Sequence, residues 1–172
     1  MARSKESLAR LIRGAMGDVK ADTIITGGQL INVYSGEIIH GLEIAVVDGR
    51  ICYVGRSAKH TRGEKTEIVD ASKYYVAPGF IDAHTHIGHY ARPFENLQSF
   101  LPHGTTSVVA SCDEMSSVLG PRGLKLFLDE VEKHPLRVHT LVSMVAPQDP
   151  LLCSTAEFTD EEIASALDDP RV

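Results

Sequence analysis

At 172 residues, with 43% hydrophobic and 23% charged residues, the chain can bury a sizeable core and has an ordinary globular composition. Its formal net charge of −6 excludes a general phosphate-backbone binder, which needs a basic face. The start of the chain has no apolar signal core, and no apolar run approaches a membrane span, so neither secretion nor membrane insertion is indicated.

Leu8, Leu11, Ile12 and Ala15 recur at helical spacing and predict an amphipathic helix over residues 4–16, capped by Ser4 and closed by Gly17. Arg3, Lys5, Arg10 and Arg13 are interleaved with Glu6 and Leu8, the pattern of a solvated helix face rather than a nucleic-acid arm. Over residues 21–69 the texture changes to short β-rich runs at 23–26, 30–33, 42–47, 51–54 and 67–69. Turn signals separate them: Gly27-Gly28, Ser35-Gly36 and Asp48-Gly49, the last a strong hairpin signal. This reads as a small β-module of hairpins with a polar loop over 57–65.

A third rhythm follows. An apolar strand reaches His84–His86, then come a helix over 92–102, a strand over 105–110, a helix over 120–134 and a strand over 137–145. A last helix over 159–168 opens on a capping box, Thr159 with Glu162. Strands alternating with helices imply a parallel sheet of right-handed βαβ units, and short apolar strands imply cover on both faces. Three such units fit, whereas a complete eight-unit barrel takes about 250 residues. The expected fold class is therefore α/β: a small β-module and then the first units of a (β/α)8 TIM barrel, truncated. The expected boundaries are a helix over 1–19, the β-module over 20–74 and the partial barrel over 75–172. Cys52, Cys112 and Cys153 are odd in number and form no CxxC, so neither a disulfide framework nor a zinc ribbon is indicated, and a reducing cytoplasm is expected.

Asp82-Ala83-His84-Thr85-His86 closes the first strand of the third region. Side chains alternate along a strand, so His84 and His86 share a face, at the C-terminal mouth if the strand belongs to a barrel. Two imidazoles so placed can hold one divalent metal through neutral nitrogens. A bare HxH also occurs as two half-buried strand histidines satisfied by neighbours; Ala77-Pro78-Gly79 before it and the βα alternation after it favour ligands. His89 lies within reach of the same mouth, and Asp113 and Glu114 end the second barrel strand, so all three are candidates to line a site. His103 is expected as a turn residue, His134 and His139 in structural roles, and Cys112 as a small packing residue.

The run Val76-Ala77-Pro78-Gly79-Phe80-Ile81-Asp82-Ala83-His84-Thr85-His86 resembles the signature of the amidohydrolase superfamily. Ile44-Ala45-Val46-Val47-Asp48-Gly49-Arg50-Ile51 is similar to that superfamily's small β-domain, part of a composite β-sandwich. Ala21-Asp22-Thr23-Ile24-Ile25-Thr26-Gly27-Gly28, Asn32-Val33-Tyr34-Ser35-Gly36-Glu37 and Phe100-Leu101-Pro102-His103-Gly104-Thr105-Thr106-Ser107-Val108-Val109-Ala110 are similar to its adenine deaminase branch. The resemblance implies His84 and His86 as ligands of a divalent metal site, commonly binuclear with manganese, iron or zinc. It implies hydrolysis of adenine to hypoxanthine and ammonia by a metal-activated hydroxide. A small purine-like substrate follows, with no nucleic-acid or membrane partner; a homo-oligomer is compatible. The bridging carboxylate and the catalytic acid and base are expected beyond Val172. Two other readings stay open: a cyclic amidohydrolase of the dihydropyrimidinase or hydantoinase kind, and a non-catalytic truncated remnant. The chain departs from the branch twice, with Ser111-Cys112-Asp113-Glu114 in place of Asp-Pro-His-Glu and Gly88-His89-Tyr90 in place of Glu-Ser-Ser. Both departures lie at the mouth, where substrate is read.

Overall fold

The computed structural model describes residues 4–142, 156 and 158–172, and the chain divides into two units, Met1–Pro78 and Gly79–Val172. In the first unit, helix α1 (Lys5–Met16) starts where Ser4 Oγ accepts the Ser7 backbone N–H at 3.1 Å. It ends at Gly17, whose φ of 85° is a left-handed value that costs glycine no Cβ clash. Strands β1 (Thr23–Thr26), β2 (Gln29–Asn32), β3 (Glu37–Ile39), β4 (Glu43–Val47), β5 (Arg50–Gly55), β6 (Glu67–Asp70) and β7 (Tyr75–Val76) follow. They form two sheets rather than one run of hairpins, in the orders β5-β4-β1-β6 and β3-β2-β7. The β4–β5 hairpin turns at Asp48 and Gly49, with φ of 52° and 69°, as a two-residue Asp-Gly loop prefers. Arg10 holds that turn through bonds of 2.6 and 3.0 Å to the Asp48 carboxylate.

The face that α1 buries differs from the one its leucine spacing suggests. Gly14 is its buried residue, and a Cβ there would stand 2.9 Å from Val47 Cγ2, while Leu8 and Ile12 remain 46% and 53% exposed. The absent side chain lets the helix backbone approach β4 and β5 closely, and that contact sets the rotation of the helix. Beneath lies a core of Ala21, Ile24, Ala45, Val47 and Ala58.

The second unit holds strands β8 (Phe80–Thr85), β9 (Thr105–Ser111) and β10 (Arg137–Leu141), all parallel, in the order β10-β9-β8. Helices α2 (Pro93–Leu97), α3 (Asp113–Leu119), α4 (Pro121–Val131) and α5 (Asp160–Leu167) accompany them. The strand–helix alternation holds, but cover on both faces does not. β9 is central and buries Val108 and Ala110 completely, whereas β8 is an edge of this sheet and leaves Phe80 and Ile81 67% and 69% exposed. The core gathers Leu97, Val108, Ala110, Leu124, Phe127 and Leu128. Each large side chain so buried contributes roughly 1.5–3 kcal/mol relative to exposure.

Three boundaries move. The helix expected over 92–102 is α2 plus a separate 3-10 turn, Leu101–His103, because Pro102 has no N–H to continue the ladder and Ser99 Oγ bonds back to the Asn96 carbonyl. The helix expected over 120–134 is α4, preceded by the unforeseen α3. Gly120, at φ 58° and ψ −139°, breaks the two apart, and Pro121 opens α4 at its first turn. The strand expected over 137–145 ends at Leu141; residues 143–145 and Cys153 lie outside the described residues. Among the described residues no helix is long and apolar enough to cross a membrane.

The predicted capping box is present: Thr159 Oγ1 accepts the Glu162 N–H at 3.2 Å, and Glu162 Oε2 accepts the Thr159 N–H at 2.9 Å. Thr159→Ala is expected to cost about 1 kcal/mol, read as a lower urea midpoint at unchanged slope. Past α5, Arg171 bonds to Asp169 at 2.6 Å and to Asp129 at 3.1 Å. The guanidinium holds the Asp169 carboxyl down to about 2. A depressed carboxyl contributes stability that is complete above its unfolded value of about 3.9 and fades as pH falls towards 2. Asp169→Asn is therefore expected to flatten the fall in melting temperature between pH 4 and pH 2, followed by circular dichroism.

Candidate metal centre

β8 carries His84 near its C-terminal end, and His86 follows one residue beyond it. The alternation that puts both on one face brings their Nε2 atoms to 3.1 Å, with the rings edge to face. Asp82 Oδ1 accepts the His84 backbone N–H at 3.2 Å, which tightens the strand end beneath the pair. The segment after His86 is pinned on both sides. Asn96 Nδ2 donates to the Ile87 carbonyl at 2.5 Å, with the Ile87 side chain fully packed, and Arg92 grips Glu130 through two bonds of 3.2 and 2.5 Å.

From the other side α3 presents Glu114. Its Oε1 lies 2.7 Å from His86 Nδ1 and 2.6 Å from His89 Nδ1. Its Oε2 is buried and has no hydrogen-bond partner among the described residues. Gly88 leaves room for that oxygen, since a Cβ there would stand 3.2 Å from Oε2. His86, His89 and Glu114 each offer a ligand atom within 4.8 Å of the others. α3 is itself seated by close backbone approach: a Cβ on Gly123 of α4 would lie 2.1 Å from the Met115 carbonyl oxygen.

These residues fit a divalent cation. Two nitrogens bound to one ion at about 2.0–2.1 Å stand about 3 Å apart, the spacing that the His84 and His86 Nε2 atoms have. A buried carboxyl oxygen without a hydrogen-bond partner has a lone pair available to a cation. Imidazole nitrogen with carboxyl oxygen suits zinc, iron or manganese rather than a soft thiolate metal.

No family model matches the chain. Individual proteins do. Adenine deaminase 3 of Rhizobium meliloti is 38% identical over 169 residues, which is 97% of this chain and 28% of that protein. Adenine deaminase of Cenarchaeum symbiosum is 40% identical over 166 residues, 96% of this chain and 27% of the other. Among solved structures, D-aminoacylase, described with a binuclear metal center, superposes with a TM-score of 0.56 at 23% identity, covering 84% of this chain and 34% of that one. Molinate hydrolase gives 0.52 at 19% identity over 70% of this chain and 30% of that one. The chain is similar to adenine deaminases over nearly its whole length and spans about 28% of the length of those it matches. Its fold is that of these solved neighbours, a small β-module followed by the opening βα units of a barrel.

Of the residues singled out by sequence, the chain brings His84, His86, His89 and Glu114 together. Asp113, next to Glu114 in the chain, has a buried Oδ1 without a hydrogen-bond partner among the described residues. Cys112 is fully buried, its thiol 3.4 Å from the Leu141 carbonyl, a packing position. His103 closes its turn through Ser99 O at 2.7 Å, and His134 Nδ1 accepts the Leu136 N–H at 3.1 Å. Sequence reasoning placed Gly88 at the mouth without giving it a role, and missed Asn96. Gly88 carried a signal, a glycine inside a histidine-rich turn; Asn96 carried none.

Proposed function

We propose that this chain provides the first metal-binding element of a hydrolase that deaminates adenine to hypoxanthine and ammonia, working in the cytoplasm. The convergence of His84 and His86 Nε2 at 3.1 Å, at the C-terminal end of a barrel strand, carries the reading. The likeness to two adenine deaminases over nearly the whole chain supports the substrate. A divalent cation held there supplies Lewis-acid activation of water near neutral pH.

The chain's own residues do the holding and orienting. His84 and His86 bind through neutral nitrogens, Glu114 stands behind His86, and His89 flanks Glu114. In the reaction, water adds to the ring carbon that bears the exocyclic amine, and that amine leaves as ammonia after taking a proton. The proton-transfer groups are assigned to the part of the relatives that this chain does not span. The absence of any CxxC among Cys52, Cys112 and Cys153 suits a reducing compartment.

The test is a chimera in which this chain replaces the aligned segment of the Rhizobium meliloti relative, loaded with manganese and assayed for ammonia from adenine. Turnover that is lost when His84 and His86 both become alanine supports the proposal. A folded, metal-loaded chimera that leaves adenine untouched contradicts it, and one that opens a dihydropyrimidine instead moves the assignment to cyclic amides.

A further inference from the structure

Glu114 Oε1 lies 2.7 Å from His86 Nδ1 in hydrogen-bonding geometry, and His89 Nδ1 lies 2.6 Å from the same oxygen as an ion-pair contact. A carboxyl oxygen accepts from an imidazole N–H. We propose that Glu114 is a positioning residue that fixes His86 as its Nδ1–H tautomer, leaving Nε2 as a lone pair.

Three further observations support this. His86 Nε2 is the atom that faces His84 Nε2 at 3.1 Å, so the fixed lone pair points to where a shared ligand would sit. Glu114 has a side chain only 14% exposed, so little water competes for its oxygens. Gly88 keeps the space that its Oε2 occupies, and Gly123 lets α3 sit close enough to bring Glu114 to the histidines. A carboxyl behind a metal-binding histidine orients the ring and raises its basicity, and its loss costs about 10–100-fold in metal affinity.

The metal part of this inference rests on His84 and His86 being ligands; the tautomer part does not. The experiment therefore reads both. The metal-free 172-residue chain, labelled with 15N-histidine, is examined by long-range 1H–15N correlation, which distinguishes Nδ1–H from Nε2–H rings. Zinc affinity is then measured by equilibrium dialysis for wild type, Glu114→Gln, Glu114→Ala and the His84→Ala/His86→Ala double variant. Wild type is expected to show His86 as Nδ1–H, and Glu114→Gln to keep that state because an amide oxygen still accepts. Glu114→Ala is expected to release the His86 ring to the Nε2–H form favoured by unattached imidazole, and to weaken zinc binding about 10–100-fold. An Nε2–H His86 in the wild type, or tautomers unchanged in Glu114→Ala, overturns the proposal. Zinc binding that survives the double histidine change overturns the ligand reading instead, while the tautomer result stands.

Discussion

Replacing His84 and His86 together by alanine is expected to weaken zinc binding more than a thousandfold while leaving the metal-free fold intact. Tetrahedral zinc sites in small peptides contribute about 10–16 kcal/mol with four ligands, so two imidazoles carry on the order of 5 kcal/mol, or over three decades of affinity. The same change removes little packing. His84 is exposed and the His86 side chain is 34% exposed, so neither ring fills the core. Melting of the metal-free double variant is therefore expected to shift by no more than about 1 kcal/mol, the modest range of changes away from the core. Equilibrium dialysis and thermal melting, run on the same preparations, separate the two effects. A variant that loses metal only because it unfolds would show in the second measurement.

The largest stability effect belongs to Phe127. It is fully buried on α4, in the cluster that joins Leu97, Val108, Ala110 and Leu128. Phe127→Ala removes a ring from a site whose neighbours come from α2, α4 and β9, elements that cannot all close in at once. The expected cost is about 3–5 kcal/mol, transfer and cavity terms together. That is a large share of the roughly 5–15 kcal/mol by which domains are stable. The result would be a urea midpoint that falls sharply at unchanged slope. Because β8 is hydrogen-bonded to β9, and β9 is covered by this cluster, the metal site should weaken with it, in contrast to the histidine variant, whose fold stays put.

What the sequence made legible was local. Ser4 and Gly17 bracket α1, Asp48-Gly49 makes the β4–β5 turn, and Thr159 with Glu162 caps α5, because each acts within four residues of its partner. The HxH pair was legible for the same reason: strand alternation alone puts both rings on one side. What depended on distant partners was not. The parallel pairing of β1 with β6 and of β2 with β7 joins segments more than forty residues apart, and no hairpin signal announces it. The burial of Gly14 overrode the leucine periodicity of α1, since close backbone approach to Val47 outweighed the helix's own apolar stripe. α3 escaped notice because its Ser116-Ser117 pair is a weak helix signal and its seating comes from Gly123, on the next helix. Glu114 was a candidate from its place after β9, but its meeting with His86 and His89 follows from α3 and could not be read before it.

The most direct test of the account is zinc K-edge X-ray absorption on the zinc-loaded chain, compared with the His84→Ala/His86→Ala variant. The account predicts imidazole scattering from two histidines at about 2.0–2.1 Å in the wild type, and its loss in the variant. Zinc bound without imidazole scattering, or an identical spectrum from the variant, would contradict it.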